Sequence, residues 1–296
     1  MRQTHCPLCQ TPPPANLLPL SVHTCASCGI RWTYLPEDIE AEKLYEDEVY
    51  AVVDNRRSIF EKIIFREVKK VLRKARRIYP QAKSLLDFGS GKGQFLKVAQ
   101  DLGWKGLGIE TAQERARFAA EKYGVSVISE FYQGGKIEKG SFDLICLNHV
   151  LEHLPDPLGL LKELLDQNAK KLLYLEVPRA DSWQSQIASA NWMHWDIPKH
   201  LTHWTESILV ENVEKLGFRK VATRSFSIHL GVLGMLQAIL SRLGFRENLI
   251  LRLKRKKTLG LMLIVGLVLP FAWILEVVSI PFGKSGIVGV YFEKND

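Results

Sequence analysis

The stretch from Lys83 to Gly93, "KSLLDFGSGKG", limits what this chain can become more than any other segment. It reads as a buried strand running into a loop with glycines at 89, 91 and 93. A helical pattern, "QFLKVAQDLG", follows and closes on Gly103. "KGLGIE" is a second strand. "TAQERARFAAEKYG" is a helix, with Thr111 and Glu114 spaced as a capping box and Gly124 as its stop. "VSVIS" and "SFDLICLNHV" supply two more strands, and Asp156-Pro157 opens the helix "PLGLLKELLDQ" with proline at its first position. "KKLLYLEVP", the helix "ESILVENVEKLGF" and the strand "RKVATRSFS" complete the alternation. Such a pattern predicts an α/β fold with a doubly wound, Rossmann-like sheet whose ligand sits at the carboxyl ends of the strands.

The glycine loop decides which ligand. A nicotinamide fingerprint needs glycine three positions after Gly91, where this chain has Gln94, so that motif fails. The loop instead has an acid, Asp87, at the strand end and glycines at alternate positions. Glycine lets the backbone approach a ligand closely, and Asp87 offers an anion to a positively charged part of it. Glu110 ends the second strand, 21 residues after Gly89, and is placed to accept from two ribose hydroxyls.

"DFGSGKGQFL", "GIE" and "FDLICLNHVLEHLPDP" together resemble the class I S-adenosylmethionine-dependent methyltransferases, above all the subgroup with quinone and sugar methyltransferases. The resemblance runs from about residue 81 to the C-terminus. It implies that Asp87, Gly89, Gly91 and Gly93 hold the methionine part of the cofactor and that Glu110 holds its ribose. It also implies that Asn148, His149 and Val150 border the adenine and the transferred methyl group. In some quinone O-methyltransferases a Glu-His pair at this place helps to hold a divalent ion; Glu152 and His153 preserve the pair, but His149 stands where another carboxylate is expected.

Methyl transfer to a hydroxyl needs two positioned partners and a base. Histidines cluster in two places. His149 and His153 flank Glu152, and "WMHWDIPKHLTHW" (192–204) gathers three histidines and three tryptophans just past the fifth strand. The second segment reads as a substrate wall, with flat rings to stack on a sugar or quinone and polar groups to orient it. It is similar to a histidine-bearing segment at this place in many of these methyltransferases. His200 is the first candidate for the base, His203 the second, and His149 a third catalytic candidate. His153, just before Asp156-Pro157, is equally readable as a residue orienting that helix start.

Cys6, Cys9, Cys25 and Cys28 form C-x2-C-x15-C-x2-C, two tight clasps that suit a tetrahedral structural Zn2+. A closed four-thiolate site holds a small knuckle together and leaves no position for catalysis. Cys146, in an apolar strand, reads as a core residue.

The net charge of +8 is concentrated in residues 56–77, which carry ten Lys and Arg against two Glu on a helix with one apolar face. A second basic run, "RLKRKK" at 252–257, precedes the apolar stretch Leu259–Leu275, 17 residues without a charge and with Pro270 expected to disrupt its helix. "IHLGVLGMLQAILSRLGF" (228–245) is a helix on its other side. The resemblance to class I methyltransferases implies that the last two strands of the sheet are antiparallel neighbours, matching 219–227 and 286–296. A single crossing between them would strand the final one beyond the bilayer. The expectation is therefore a peripheral or monotopic protein on the inner face of a membrane, anchored through residues 228–284. A lid or dimer interface would bury the same surface. Residues 1–20 lack the apolar core of a secretory signal, in keeping with a cytoplasmic location.

The expected organisation is a zinc-ribbon-like knuckle over 1–35, a helical extension over 36–80, and a methyltransferase domain over 81–296 carrying the insertion. The expected acceptor is a small molecule or a lipid-linked glycan or quinone. One rival is an RNA methyltransferase that grips nucleic acid with the knuckle and the basic helix, since a zinc knuckle ahead of this domain also resembles some ribosomal RNA methyltransferases. Neither basic run, however, interleaves with aromatics that would stack on bases. The other rival is a non-catalytic membrane-associated scaffold.

Overall fold

The computed structural model describes residues 2–39, 54, 56, 58–132, 134–137, 140–245, 247–249, 252–253 and 258–295. Most of the basic run at 252–257, and residues 40–53 of the expected helical extension, lie outside them.

A small antiparallel hairpin comes first, β1 (Val22–Thr24) and β2 (Arg31–Thr33). Helix α1 (Ile59–Ile78) follows, its N-terminus capped by the Ser58 side chain. The main run is β3 (Ser84–Phe88), α2 (Gln94–Asp101), β4 (Lys105–Ile109), α3 (Gln113–Phe118), β5 (Val127–Ile128), β6 (Phe142–Asn148), α4 (Pro157–Asn168) and β7 (Ala169–Pro178). Then come α5 (Trp183–Ala188), β8 (Thr202–His203), α6 (Glu206–Glu214), β9 (Phe218–Arg224), α7 (Leu233–Arg242), α8 (Leu259–Ser279) and β10 (Ile287–Lys294).

Seven strands form one sheet in the order β5-β4-β3-β6-β7-β10-β9. All neighbours are parallel except β10, which runs antiparallel between β7 and β9. The two-residue side-chain period splits the strands cleanly between two apolar layers. Leu85, Leu144, Cys146, Leu172 and Tyr174 face α1 and α2, whereas Leu86, Ile145, Leu147, Leu173 and Leu175 face α4 and α6. Cys146 is fully buried in the first layer, as its apolar strand suggests.

Two local expectations need correction. The N-cap of α3 is Ala112 and no side chain caps it; Thr111 does not. The Glu110 carboxylate instead takes the Ala112 N–H at 2.9 Å, so an acid one residue upstream does the hydrogen bonding assigned to the capping box. Helix α8 runs unbroken through Pro270. The residue four positions earlier is Gly266, which is exposed, so the carbonyl that loses its partner faces outward rather than into a packed core. The knuckle packs directly on the main domain. Cys6, Cys25, Ile30 and Trp32 are buried in the same apolar layer as α4 and α6, and β2 pairs with β8 to make a three-stranded sheet.

Between β9 and β10 stand α7 and α8, packed on each other through Met235, Leu236, Leu240 and Ala272. Among the described residues, α8 is the one helix long and apolar enough to cross a membrane, and 17% of its most apolar window is buried.

Candidate active site

The turn after β3 brings the loop back under the carboxyl end of the sheet. Gly89, Gly91 and Gly93 all take positive φ, 74°, 53° and 77°. At Gly93 a Cβ would come within 2.6 Å of the Ala119 Cβ, so no side chain fits there. At Gly91 nothing lies within 4 Å of where a Cβ would stand, which leaves the backbone open to a ligand. Glu110 fixes this loop: its Oε2 accepts the Gly91 N–H at 2.8 Å.

Asp87, one residue before the end of β3, is almost fully buried, and among the described residues its hydrogen bond comes from Asn148 Nδ2 at 3.4 Å. Burial pushes its carboxyl up to about 7; the Asn148 bond opposes the rise and the neighbouring Glu110 adds to it. The loop, Asn148 and His149 share a cavity of about 200 Å³ with Glu67, Glu176, Arg224 and His229.

His149 stands at φ 53° just past β6. Its Nε2 lies 3.3 Å from Glu176 Oε1 and its Nδ1 lies 3.4 Å from Glu152 Oε1. Burial alone would lower the imidazole's pKa, but the two carboxylates outweigh it and hold it up at about 9. His149 is therefore an imidazolium at neutral pH. Glu176 also takes Arg224 and the Tyr174 hydroxyl, and Arg224 reaches Glu67 of α1 at 2.8 Å. Glu67 in turn accepts from Ser227 Oγ and the Ile228 N–H and lies 3.1 Å from His229 Nδ1. A continuous buried charge network thus joins α1, β6, β7 and β9 along one wall of the cavity.

Behind His149 lies the second histidine group. His153 Nδ1 faces the Lys199 carbonyl at 3.1 Å, and His200 Nδ1 faces the His194 carbonyl at 2.8 Å. A carbonyl only accepts, so each imidazole carries its proton on Nδ1 and a lone pair on Nε2. The rings pack edge to face, 4.6 Å between centroids. Burial lowers the pKa of His153 to about 4 and of His194 to about 3, and it lowers His200 and His203 as well, so all four are neutral. Among the described residues the buried Glu152 carboxylate accepts no well-formed hydrogen bond; its contact with His149 is an ionic one. Glu152, His153 and His200 place one ligand atom each within 4.8 Å of one another, a spacing that can also gather a cation. The start of α4 is capped by Asp156, which accepts the Gly159 N–H.

The tryptophans divide. Trp192 and Trp204 are buried core residues, so they form no substrate wall. Trp195 is half-buried and lines a groove of about 540 Å³ between the knuckle and residues 180–197, with Arg31 opposite.

At the far end of the chain's order, the four knuckle cysteines bring their sulfurs within 4.8 Å of one another, with Cys6 to Cys28 and Cys9 to Cys25 both 3.5 Å. Backbone N–H groups of Leu8 and Cys9 point at Cys6, and those of Ser27 and Cys28 at Cys25. That is the donor set, with N–H groups stabilising the thiolates, that a tetrahedral thiophilic metal takes.

A family profile described as a methyltransferase domain matches residues 60–223, more than half of the chain. The chain belongs to that family. Solved structures that share its fold include the following two. One is an S-adenosylmethionine-dependent methyltransferase from Archaeoglobus fulgidus, 19% identical, with a TM-score of 0.50 over 79% of this chain and 97% of its own. The other, from Galdieria sulphuraria, is assigned as a sarcosine dimethylglycine methyltransferase; it is 16% identical, with a TM-score of 0.50 over 79% of this chain and 85% of its own. A search of curated proteins finds no match.

This methyltransferase carries the marks of a cofactor site. Asp87 is a buried carboxylate without a cation beside it among the described residues, and Ser90 Oγ is buried at the loop without a hydrogen-bond partner. Both fit S-adenosylmethionine, which supplies a methyl group on a positively charged sulfur. Of the catalytic candidates, the structure brings His149 to the cavity wall and sets His200 and His203 behind it, both buried. Glu67, Glu176, Arg224 and His229 escape a reading of the sequence. One signal was available for Glu67. It interrupts the apolar face of α1 between Ile64 and Val71, and a carboxylate there has to find a buried partner.

Proposed function

We propose that this methyltransferase modifies a small or lipid-linked acceptor, glycan or quinone-like, delivered from a membrane surface. The observation that carries this reading is the placement of α8. Leu259, Leu263, Ile264, Leu267, Phe271 and Trp273 are exposed on it. Its foot is anchored by Glu276, which accepts from Gln184 Nε2 at 3.0 Å and from the Gly286 N–H at 2.9 Å. Gln184 also donates to the Gly231 carbonyl, in the same turn as His229 on the cavity wall. An apolar helix rooted beside the cavity can lie in the outer part of a bilayer and set the opening against it. The return of β10 between β7 and β9 supports docking of α8 over crossing, with residues 228–284 as the anchor.

Asp87, Gly89, Gly91 and Gly93 hold the methionine part of the cofactor, Glu110 its ribose, and Asn148, His149 and Val150 the edge nearest the methyl group. His200 is the base. Its Nε2, 4.0 Å from Asp196 Oδ2, takes the acceptor's proton, and Glu152 beside it stabilises the imidazolium that forms. His203 supports that position, and the His149 imidazolium adds positive charge where an acceptor oxygen becomes an anion. Cys6, Cys9, Cys25 and Cys28 bind a structural Zn2+.

A second reading rests on the basic face of α1, where Lys62, Arg66, Lys69, Lys70, Arg73, Lys74 and Arg77 are all exposed. That face suits phosphate, whether of lipid or of RNA. Methyl-labelled S-adenosylmethionine incubated with a total extract of the source cells and fractionated into organic, aqueous and RNA pools separates the two. Label in the organic pool is expected. Label confined to RNA replaces the acceptor, and no label in any pool favours a scaffold.

A further inference from the structure

The knuckle reaches further than its cysteines. Strand β2 pairs with β8, Arg31 opposite His203 and Trp32 opposite Thr202. The Thr33 N–H donates to the Leu201 carbonyl at 3.0 Å, and the Leu201 N–H donates to the Glu152 carbonyl at 2.7 Å. Thr202 Oγ1 reaches the Leu151 carbonyl, and Trp204 Nε1 donates to Thr202 Oγ1. A hydrogen-bonded path therefore runs from the knuckle through the histidine loop to the turn that carries Glu152.

Thr33 occupies the middle of that path. Its Oγ1 lies 2.6 Å from the His200 carbonyl and 3.1 Å from His203 Nε2, and all three groups are buried. A hydroxyl has one proton to give. The carbonyl cannot donate, so the proton goes to His200 and the threonine oxygen must accept from His203. That fixes the His203 proton on Nε2 and its lone pair on Nδ1. Trp195 closes the other side of the His203 ring, 4.9 Å between centroids. One side chain from the knuckle thus sets both the backbone at His200 and the tautomer of His203.

We propose that Thr33 is a positioning residue for the acceptor-side histidines, so that methyl transfer depends on the knuckle while cofactor binding does not. The dependence of turnover on it rests on the reading of His200 as the base. Its structural half, the tautomer of His203, stands apart from that reading. None of the residues lining the cofactor cavity comes from the knuckle, and the separation of the two effects follows from that.

The test compares the full-length wild type with Thr33→Val, which keeps the shape and loses the hydroxyl, and Thr33→Ser, which keeps the hydroxyl. Long-range proton–nitrogen NMR reads the tautomer of His203, calorimetry reads affinity for S-adenosylhomocysteine, and label transfer into the organic extract reads turnover. Wild type and Thr33→Ser are expected to share an Nε2–H signature at His203 and comparable turnover. Thr33→Val is expected to lose that signature and to transfer about tenfold less or worse, as for a lost buried hydrogen bond, with cofactor affinity unchanged. An unchanged His203 signature in Thr33→Val overturns the proposal. So does a loss of cofactor affinity that matches the loss of turnover, because it would mark general damage. If the wild type itself labels only RNA, the membrane-acceptor reading fails alone, and the tautomer comparison still decides the role of Thr33.

Discussion

Glu176 Oε1 lies 3.3 Å from His149 Nε2, while the other oxygen of the same carboxylate takes Arg224 from β9. One buried acid thereby joins the cofactor edge of the sheet to its antiparallel end. Two cations share it, so its removal leaves both without their nearest anion. Glu176→Gln is expected to destabilise the protein by about 3–5 kcal/mol, the range for breaking a buried pair by removing one partner. Arg224→Met should cost a comparable amount. The double variant should cost clearly less than the two together, because neither charge is then left alone. Urea unfolding of the four proteins checks this, and simple additivity would dissolve the network into independent contacts.

The pH dependence of cofactor binding should trace to Asp87. Burial holds its carboxyl at about 7, far above the usual 3.8, so the free protein keeps that proton below neutrality. A cationic cofactor favours the ionised form, and binding releases the proton. Affinity for S-adenosylmethionine should therefore fall as pH drops below about 7, by up to tenfold per unit. Stability runs the other way. A carboxyl raised in the folded state contributes fully below its unfolded pKa and loses that contribution as pH rises through about 7. Asp87→Asn should then bind cofactor weakly at every pH yet resist urea better than wild type at pH 8. A variant as pH-sensitive as wild type in binding would move the titration to another group.

Zinc should be separable from the cofactor. Cys25→Ser is expected to lower bound zinc from about one per chain, the content of a four-thiolate site, and to lower the melting temperature, because Cys6, Cys25 and Trp32 belong to the same apolar layer as α4 and α6. Metal analysis and thermal unfolding with and without a chelator read both effects. S-adenosylhomocysteine affinity should hold in any fraction that stays folded. A metal-free protein with unaltered melting would detach the knuckle from the core.

What the sequence disclosed and what it concealed divide along contact range. Asp87 and Glu110 were legible because a strand end and a fixed spacing place them, and the β10 return was legible only through the family resemblance, which implies an antiparallel pair at the end of the sheet. The N-cap of α3 was misread because two acids, Glu110 and Glu114, both stand within reach of that turn, and spacing alone does not choose between them. Trp192, Trp195 and Trp204 look alike in a linear segment, yet only packing decides that two enter the core and one faces a groove. The pairings of Glu67 with Arg224 and of Thr33 with His203 span 157 and 170 residues. No local period encodes such a distance, and a lone polar residue on an apolar face is the trace it leaves.

The apolar helix offers the most direct test of the membrane reading. Leu263 and Leu267 are about two-thirds exposed on α8, and neither belongs to the cluster that packs α7 against α8. Changing both to glutamate should leave the fold intact, since their surroundings are already open, and should raise the cost of placing that face among acyl chains. Wild type is expected to float with vesicles of phosphatidylethanolamine and phosphatidylglycerol, and Leu263→Glu/Leu267→Glu to stay in the soluble fraction. Cofactor affinity serves as the control for folding, because α8 contributes nothing to the cavity wall. If the basic face of α1 made the attachment alone, raised salt would release wild type and the double glutamate variant alike, and the exposed leucines would have no part in it. Flotation of wild type that persists in high salt, and is lost in the double variant, assigns the docking to the apolar face.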